Sequence, residues 1–303
     1  MAYPLKRSPP STVSSPYESG EIRGMSCLMD FFSALPFEWV RYEFMRNALV
    51  AVILVSPLFA LLGTLVVNNR MAFFSDAIGH ASLTGLGLGV LLGLADPLLA
   101  LVGFALLLGL GILVLHRVTR SAMDTIISLS MSFSIALGVV LLSRGGNFNR
   151  FSQYLIGDLL SITPEEIVWL GVTVLVVGGG LLVFYNRILL IGINDSLARS
   201  RGLNAWWTQV LFVAALVMVV TMNLSWVGIL IINSLLILPA AAARNIAGNT
   251  RQYVLFSVAI ALASGVSGLL VSYYADTATG ATIVLVAMGF FFFTLAVKSL
   301  RKP

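Results

Sequence analysis

Nine stretches of about 20 residues, almost free of charge, follow one another along this chain. Coiled as helices, runs of that length match the roughly 30 Å hydrocarbon layer of a bilayer. They lie near 44–67, 73–93, 97–115, 122–142, 166–186, 205–224, 226–243, 252–274 and 279–297. With 58% apolar and only 10% charged residues in 303, and a mean hydropathy of +0.97, the chain cannot hide its hydrophobic surface in a water-soluble core. The expected fold is all-α: a polytopic bundle of about nine transmembrane helices, with eight or ten as the alternatives.

Local signals fix some of the helix starts. Asp96-Pro97 opens the third span. Thr163-Pro164-Glu165-Glu166 carries a Thr-x-x-Glu capping pattern with proline at the first helical position, so the fifth span begins near Pro164. Lys and Arg collect on alternate loops, as they do on the cytoplasmic side of membrane proteins. Eleven of the eighteen fall after spans one, three, five and seven or in the C-terminal tail. The N-terminus is therefore expected outside and the C-terminus inside the cytoplasmic membrane, although Lys6, Arg7, Arg23, Arg41 and Arg46 on the outer side make the first span the weakest.

The Ser- and Pro-rich beginning, followed by Met25 and Met29, reads as an unstructured or mis-started extension over residues 1–28, ahead of one transmembrane domain over 29–303. The first strongly apolar run, from near Phe44, is too long for a cleaved signal.

Several functions are excluded or disfavoured. Cys27 is the single cysteine, so no intramolecular disulfide forms. Arginines isolated between apolar runs give no basic face for nucleic acid. No Gly-x-x-x-x-Gly-Lys-Ser/Thr loop holds ATP, and no His-Glu-x-x-His motif supports an intramembrane metallohydrolase. A secondary transporter would carry coupling charges and inverted repeats, which are not evident.

The informative departure is Ser75-Asp76-Ala77-Ile78-Gly79-His80-Ala81-Ser82, at the start of the second span. Helical spacing of i, i+4 puts a carboxylate and an imidazole on one face, where both can approach one cation. An acid within a span costs on the order of 3 kcal/mol on insertion scales, so such residues usually line a pathway or pair with something. The residues alone equally allow Asp76 to cap the helix while His80 bonds a neighbouring helix. Two ligands rarely suffice for a transition metal, and a homodimer with this helix on its axis would bring two Asp and two His. Gly85, Gly87, Gly89 and Gly93 then let another backbone approach closely. His116, beside Arg117 at a helix end, is explained by the helix dipole and receives no ligand role.

Asp76-Ala77-Ile78-Gly79-His80-Ala81 resembles the Asp-Ala-x-x-His-Ala stretch of the permeases of ATP-binding-cassette importers for zinc, manganese and iron. The likeness continues through Gly157-Asp158-Leu159-Leu160-Ser161, Val227-Gly228-Ile229-Leu230, Leu238-Pro239-Ala240-Ala241, Ser272-Tyr273-Tyr274 and Thr279-Gly280-Ala281-Thr282, across roughly 29–298. Thr84 stands where relatives often have proline. The resemblance implies a type II importer-like permease dimer, a cytoplasmic ATPase dimer, an extracytoplasmic metal-binding protein, Asp76 and His80 as pathway metal ligands, and no permanently bound cofactor. A permease for a metal chelate or cofactor is the alternative, with an ATP-independent transporter behind it.

The loop 193–203 can form a short helix capped by Asn194 and ended by Gly202. By the same resemblance, Asn194, Asp195, Leu197, Ala198, Arg199 and Gly202 would form the ATPase-coupling segment. From the residues alone, Arg199 and Arg201 are equally those of an ordinary positive-inside loop. On the opposite face, Arg144, Arg150 and Asp158 are candidates to touch a binding protein.

Overall fold

The computed structural model describes residues 38–94, 97–119, 121–145, 159–193, 198, 200–202 and 204–301. The expected extension 1–28 and the residues Asn194, Asp195, Leu197 and Arg199 lie outside that set, as do Arg150 and Asp158. Glu38–Arg41 forms a single 3-10 turn in the short unit that ends at Tyr42.

From Glu43 onward the described residues form nine long α-helices: α1 Glu43–Asn68, α2 Phe74–Leu91, α3 Pro97–Thr119, α4 Met123–Gly145, α5 Pro164–Ile193, α6 Ala205–Val227, α7 Ile229–Ile246, α8 Thr250–Ala275 and α9 Thr279–Arg301. These are the nine expected, and no strand occurs among the described residues. Eight are long and apolar enough to cross a bilayer on their own account. The exception is α2, where Ser75, Asp76, His80, Ser82, Thr84 and four glycines dilute the apolar side chains. It packs against α3, α4, α6 and α7 instead, and most of its residues are buried. Lipid need not solvate a helix enclosed by protein.

The start of α5 is as expected. Thr163 Oγ1 accepts from the Glu166 N–H at 3.4 Å, and the Glu166 carboxylate accepts from the Thr163 N–H at 2.8 Å, a reciprocal capping box. Its end is not: the helix runs past the expected 186 to Ile193. The Arg187 guanidinium lies over the Phe184 ring, 5.5 Å from its centroid, while Tyr185, Ile188 and Ile191 are buried. Tyr185 donates to Thr64 on α1 at 3.1 Å, and Thr64 in turn donates to the Leu61 carbonyl. A charge turned to one side does not end a helix whose other face is packed.

Glycines set the closest approaches. A methyl group at Gly63 would collide with the Leu236 carbonyl, so α1 and α7 touch backbone to backbone. At Gly85 a methyl would lie 2.5 Å from the Ala100 oxygen, and at Gly87 3.2 Å from Leu142 Cδ2, which accounts for both as packing residues. Gly93 is different: nothing lies within 4 Å, and its φ is +64°. The Leu94 N–H bonds the Gly89 carbonyl across it, so Gly93 ends α2 as a Schellman turn and serves no packing role.

Between α6 and α7 the helix breaks at Gly228 alone, with φ 79° and ψ 150°, a conformation open essentially to glycine. The α8–α9 turn passes through Asp276 at φ +49° and is tied by Ser272 to Thr279 at 3.0 Å and by Thr277 to Thr282 at 2.8 Å. Ser272, Thr279 and Thr282 are motif residues of that region, and Thr277 lies between the two motifs.

Because a methyl at Gly63 meets a carbonyl while Thr163 caps an exposed helix end, the two substitutions should separate. Gly63→Ala is expected to cost about 1–3 kcal/mol through overpacking, and Thr163→Ala about 1 kcal/mol. Thermal unfolding in detergent ranks them; a Gly63→Ala variant as stable as the parent would contradict the close α1–α7 contact.

Candidate metal centre

The depth of α2 decides what its polar residues can do. Gly85 lies against Ala100 and Leu101, near the start of α3, and Phe74 Cζ would lie 3.3 Å from a methyl at Gly109, the thirteenth of the 23 residues of α3. At 1.5 Å per residue, α2 therefore begins about 15 Å from the Thr119 end of its neighbour. Its first turn, with Asp76, sits close to mid-depth.

Asp76 does not cap the helix. Phe73 occupies the cap position and makes no side-chain cap bond. Asp76 and His80 lie on one face, with His80 Nε2 3.9 Å from Asp76 Oδ1 and side chains 25% and 30% exposed for His80 and Asp76, respectively. That separation is too long for a hydrogen bond. It is shorter than two metal–ligand bonds placed end to end, about 4.2 Å, and a tetrahedral angle asks the atoms to close by about half an ångström. Donor types, distance and partial exposure thus suit one small divalent cation between them. Among the described residues, no group of three or more His, Cys, Asp or Glu is assembled that could complete the shell.

Sequence reasoning missed Asn233. From α7, its Nδ2 donates to Asp76 Oδ1 at 3.0 Å. The register is fixed beside it: a methyl at Gly79 would collide with Ile229, and one at Gly280 on α9 would lie 3.3 Å from Ile231. The signal was available, since an amide inside Ile231-Ile232-Asn233-Ser234-Leu235 is as anomalous as an acid in a span.

One turn above His80, the Thr84 hydroxyl lies 2.7 Å from the Ser134 carbonyl and 3.2 Å from the His80 carbonyl. A methyl at Gly138 would come within 2.6 Å of that hydroxyl. Thr84 therefore clamps α2 to α4.

Toward the Thr119 end, a cavity of about 450 Å³ opens beneath the start of α2, lined by Asn68, Asn69, Arg70, His116, Asp124 and Gln209 among others. His116 Nδ1 lies 2.9 Å from the Ser121 carbonyl and tethers the α3–α4 turn. Of the expected coupling residues, Ala198 is helical and fully buried, and Gly202 has φ +74°, as a helix-ending glycine should.

Comparison with known proteins extends these observations. The family model described as the ABC 3 transport family matches residues 41–298. The chain is 31% identical to the high-affinity zinc uptake system membrane protein ZnuB of Haemophilus influenzae, over 84% of this chain and 97% of that one. It is 26% identical to the manganese transport system membrane protein MntC of Listeria monocytogenes, over 84% and 90%. The fold is shared with PsaBC from Streptococcus pneumoniae, solved with a Fab, at a TM-score of 0.73 and 24% identity, covering 92% of this chain and all of that one.

If Asp76 and His80 share an ion, removing either must weaken binding to the isolated protein. Competition with a chromogenic chelator should show Zn²⁺ held at least tenfold more weakly by Asp76→Ala and by His80→Ala. Retained affinity in both would dissolve the centre.

Proposed function

This chain belongs to the ABC 3 transport family as a multi-pass membrane permease, and we propose that its cargo is a divalent transition metal, zinc or manganese, with iron as the third candidate, bound in passage by Asp76 and His80. The observation that carries the reading is the 3.9 Å gap between the two side chains at mid-depth, on the one of the nine helices that is not apolar enough to cross a bilayer on its own account. Binding at mid-depth is what alternating access requires, because one site must be reached from either face. The zinc uptake and manganese transport roles of the two relatives support the same cargo.

Two donors per chain leave the ion under-coordinated, so the reading includes a homodimer in which two Asp76 and two His80 meet. Carboxylate and imidazole accept both zinc and manganese, with modest enough grip to release them. The face with Asn68, Thr119 and Ile193 is cytoplasmic in this reading, by the distribution of Lys and Arg. There the segment 194–202 seats on a cytoplasmic ATPase dimer, which supplies the energy this chain cannot draw from ATP itself. An extracytoplasmic binding protein delivers the ion to the other face.

Radiometal uptake into proteoliposomes holding this chain with its ATPase and binding protein tests the whole proposal, run separately for zinc and manganese. ATP-dependent uptake should fall at least tenfold in Asp76→Ala and in His80→Ala while the complex still assembles and hydrolyses ATP. Uptake at parental rates in both variants would overturn the assignment.

A further inference from the structure

We infer that Asn233 is the positioning residue of this metal centre, fixing the Asp76 carboxylate and thereby favouring small, four-coordinate ions over larger ones; the inference rests on the proposed role of Asp76 and His80. The amide reaches across from α7 and donates to Asp76 Oδ1, the oxygen that also faces His80. Its own Oδ1 is shut off from solvent and has no hydrogen-bond partner among the described residues. An unpaired buried acceptor costs about 1–3 kcal/mol. A leucine, with the same branched side-chain skeleton, would avoid that cost among Ile231, Ile232, Leu235 and Leu236, all of them buried.

The orientation of the amide follows from charge. Turning it over would aim Asn233 Oδ1 at a carboxylate oxygen, two acceptors with no proton between them. With no second partner to bias it, the amide is set by Asp76 alone. The backbone around it is equally determined, because Gly228 starts α7 at this level and Ile229 fills the space left by Gly79. From Asp76–Asn233 to Gly79–Ile229 is three residues along α2 and four back along α7, the register of an antiparallel pair.

A second partner that orients a ligating carboxylate governs how it binds. Held at Oδ1, Asp76 offers an ion one oxygen at a defined distance from His80, a geometry suited to tetrahedral zinc. Released, the carboxylate can turn and offer both oxygens, as ions preferring more oxygen ligands favour. Asn233 thus bears on which metal is held as well as how tightly.

The test uses the full chain in detergent, with Asn233→Leu, which keeps the branched skeleton but loses the donor, and Asn233→Gln, which keeps the amide on a longer arm. Zn²⁺ and Mn²⁺ affinities are measured by competition, with Co²⁺ absorption as a reporter of coordination number and thermal unfolding as the control for folding. Asn233→Leu should weaken Zn²⁺ about tenfold, weaken Mn²⁺ less, and reduce the intense visible bands of four-coordinate Co²⁺; Asn233→Gln should recover part of each. An unchanged Zn²⁺ to Mn²⁺ ratio and unchanged Co²⁺ spectrum in Asn233→Leu would overturn the inference, as would losses of both metals that only track a lower unfolding temperature. An Asp76→Ala variant measured alongside separates the two levels: if it too leaves Zn²⁺ binding unchanged, the metal centre itself fails, whereas a large Asp76→Ala loss beside a silent Asn233→Leu sinks the positioning role alone.

Discussion

A bilayer interior offers the peptide backbone no hydrogen-bond partner, so every N–H and C=O at depth must be satisfied by the protein or by trapped water. The long helices of the described residues are the general answer, and two irregular points among them are where that constraint bears on the candidate centre. Phe74 begins α2 near mid-depth, where the first N–H groups of a helix lack intrahelical acceptors. The Phe74 N–H bonds the Met71 carbonyl, and the polar cavity beneath supplies a place where non-helical backbone is tolerated. At the α6–α7 break only Gly228 leaves helical geometry, and its N–H still bonds the Leu224 carbonyl. Both irregular points lie within a few residues of Asp76 and Asn233 in the packed register.

The candidate centre thus lies where a half-depth helix start and a one-residue helix break are brought side by side. Glycines make the meeting close: Gly79 admits Ile229, and Gly63 admits the Leu236 backbone. Thr84 holds α2 from the opposite flank through Ser134. The α2 backbone is therefore gripped on two sides while the Asp76 and His80 side chains stay partly open.

Much of this was legible in the sequence, and the failures have physical reasons. Helix number and most boundaries follow from apolar runs whose length the bilayer dictates, and the Thr163–Glu166 box was readable because capping is local. Arg187 misled because its stacking on Phe184 and the burial of Tyr185 behind it are tertiary facts. Gly93 misled because a small residue for packing and a left-handed turn residue look alike in a string of letters. Asp76 and His80 stood out as ionisable groups four apart on one predicted helix. Asn233 did not, because its meaning lies in a partner 157 residues away on another helix.

The spacing between Asp76 and His80 carries one more consequence, for turnover. An acid and an imidazole left alone at hydrogen-bond distance would pair, and every arriving ion would first have to part them. Here the donors stand apart at 3.9 Å with Oδ1 already tethered from the side. An ion bound between them would draw the two atoms together by only about half an ångström. If the two side chains hold the cargo as proposed, reloading would not first have to break a hydrogen bond between them.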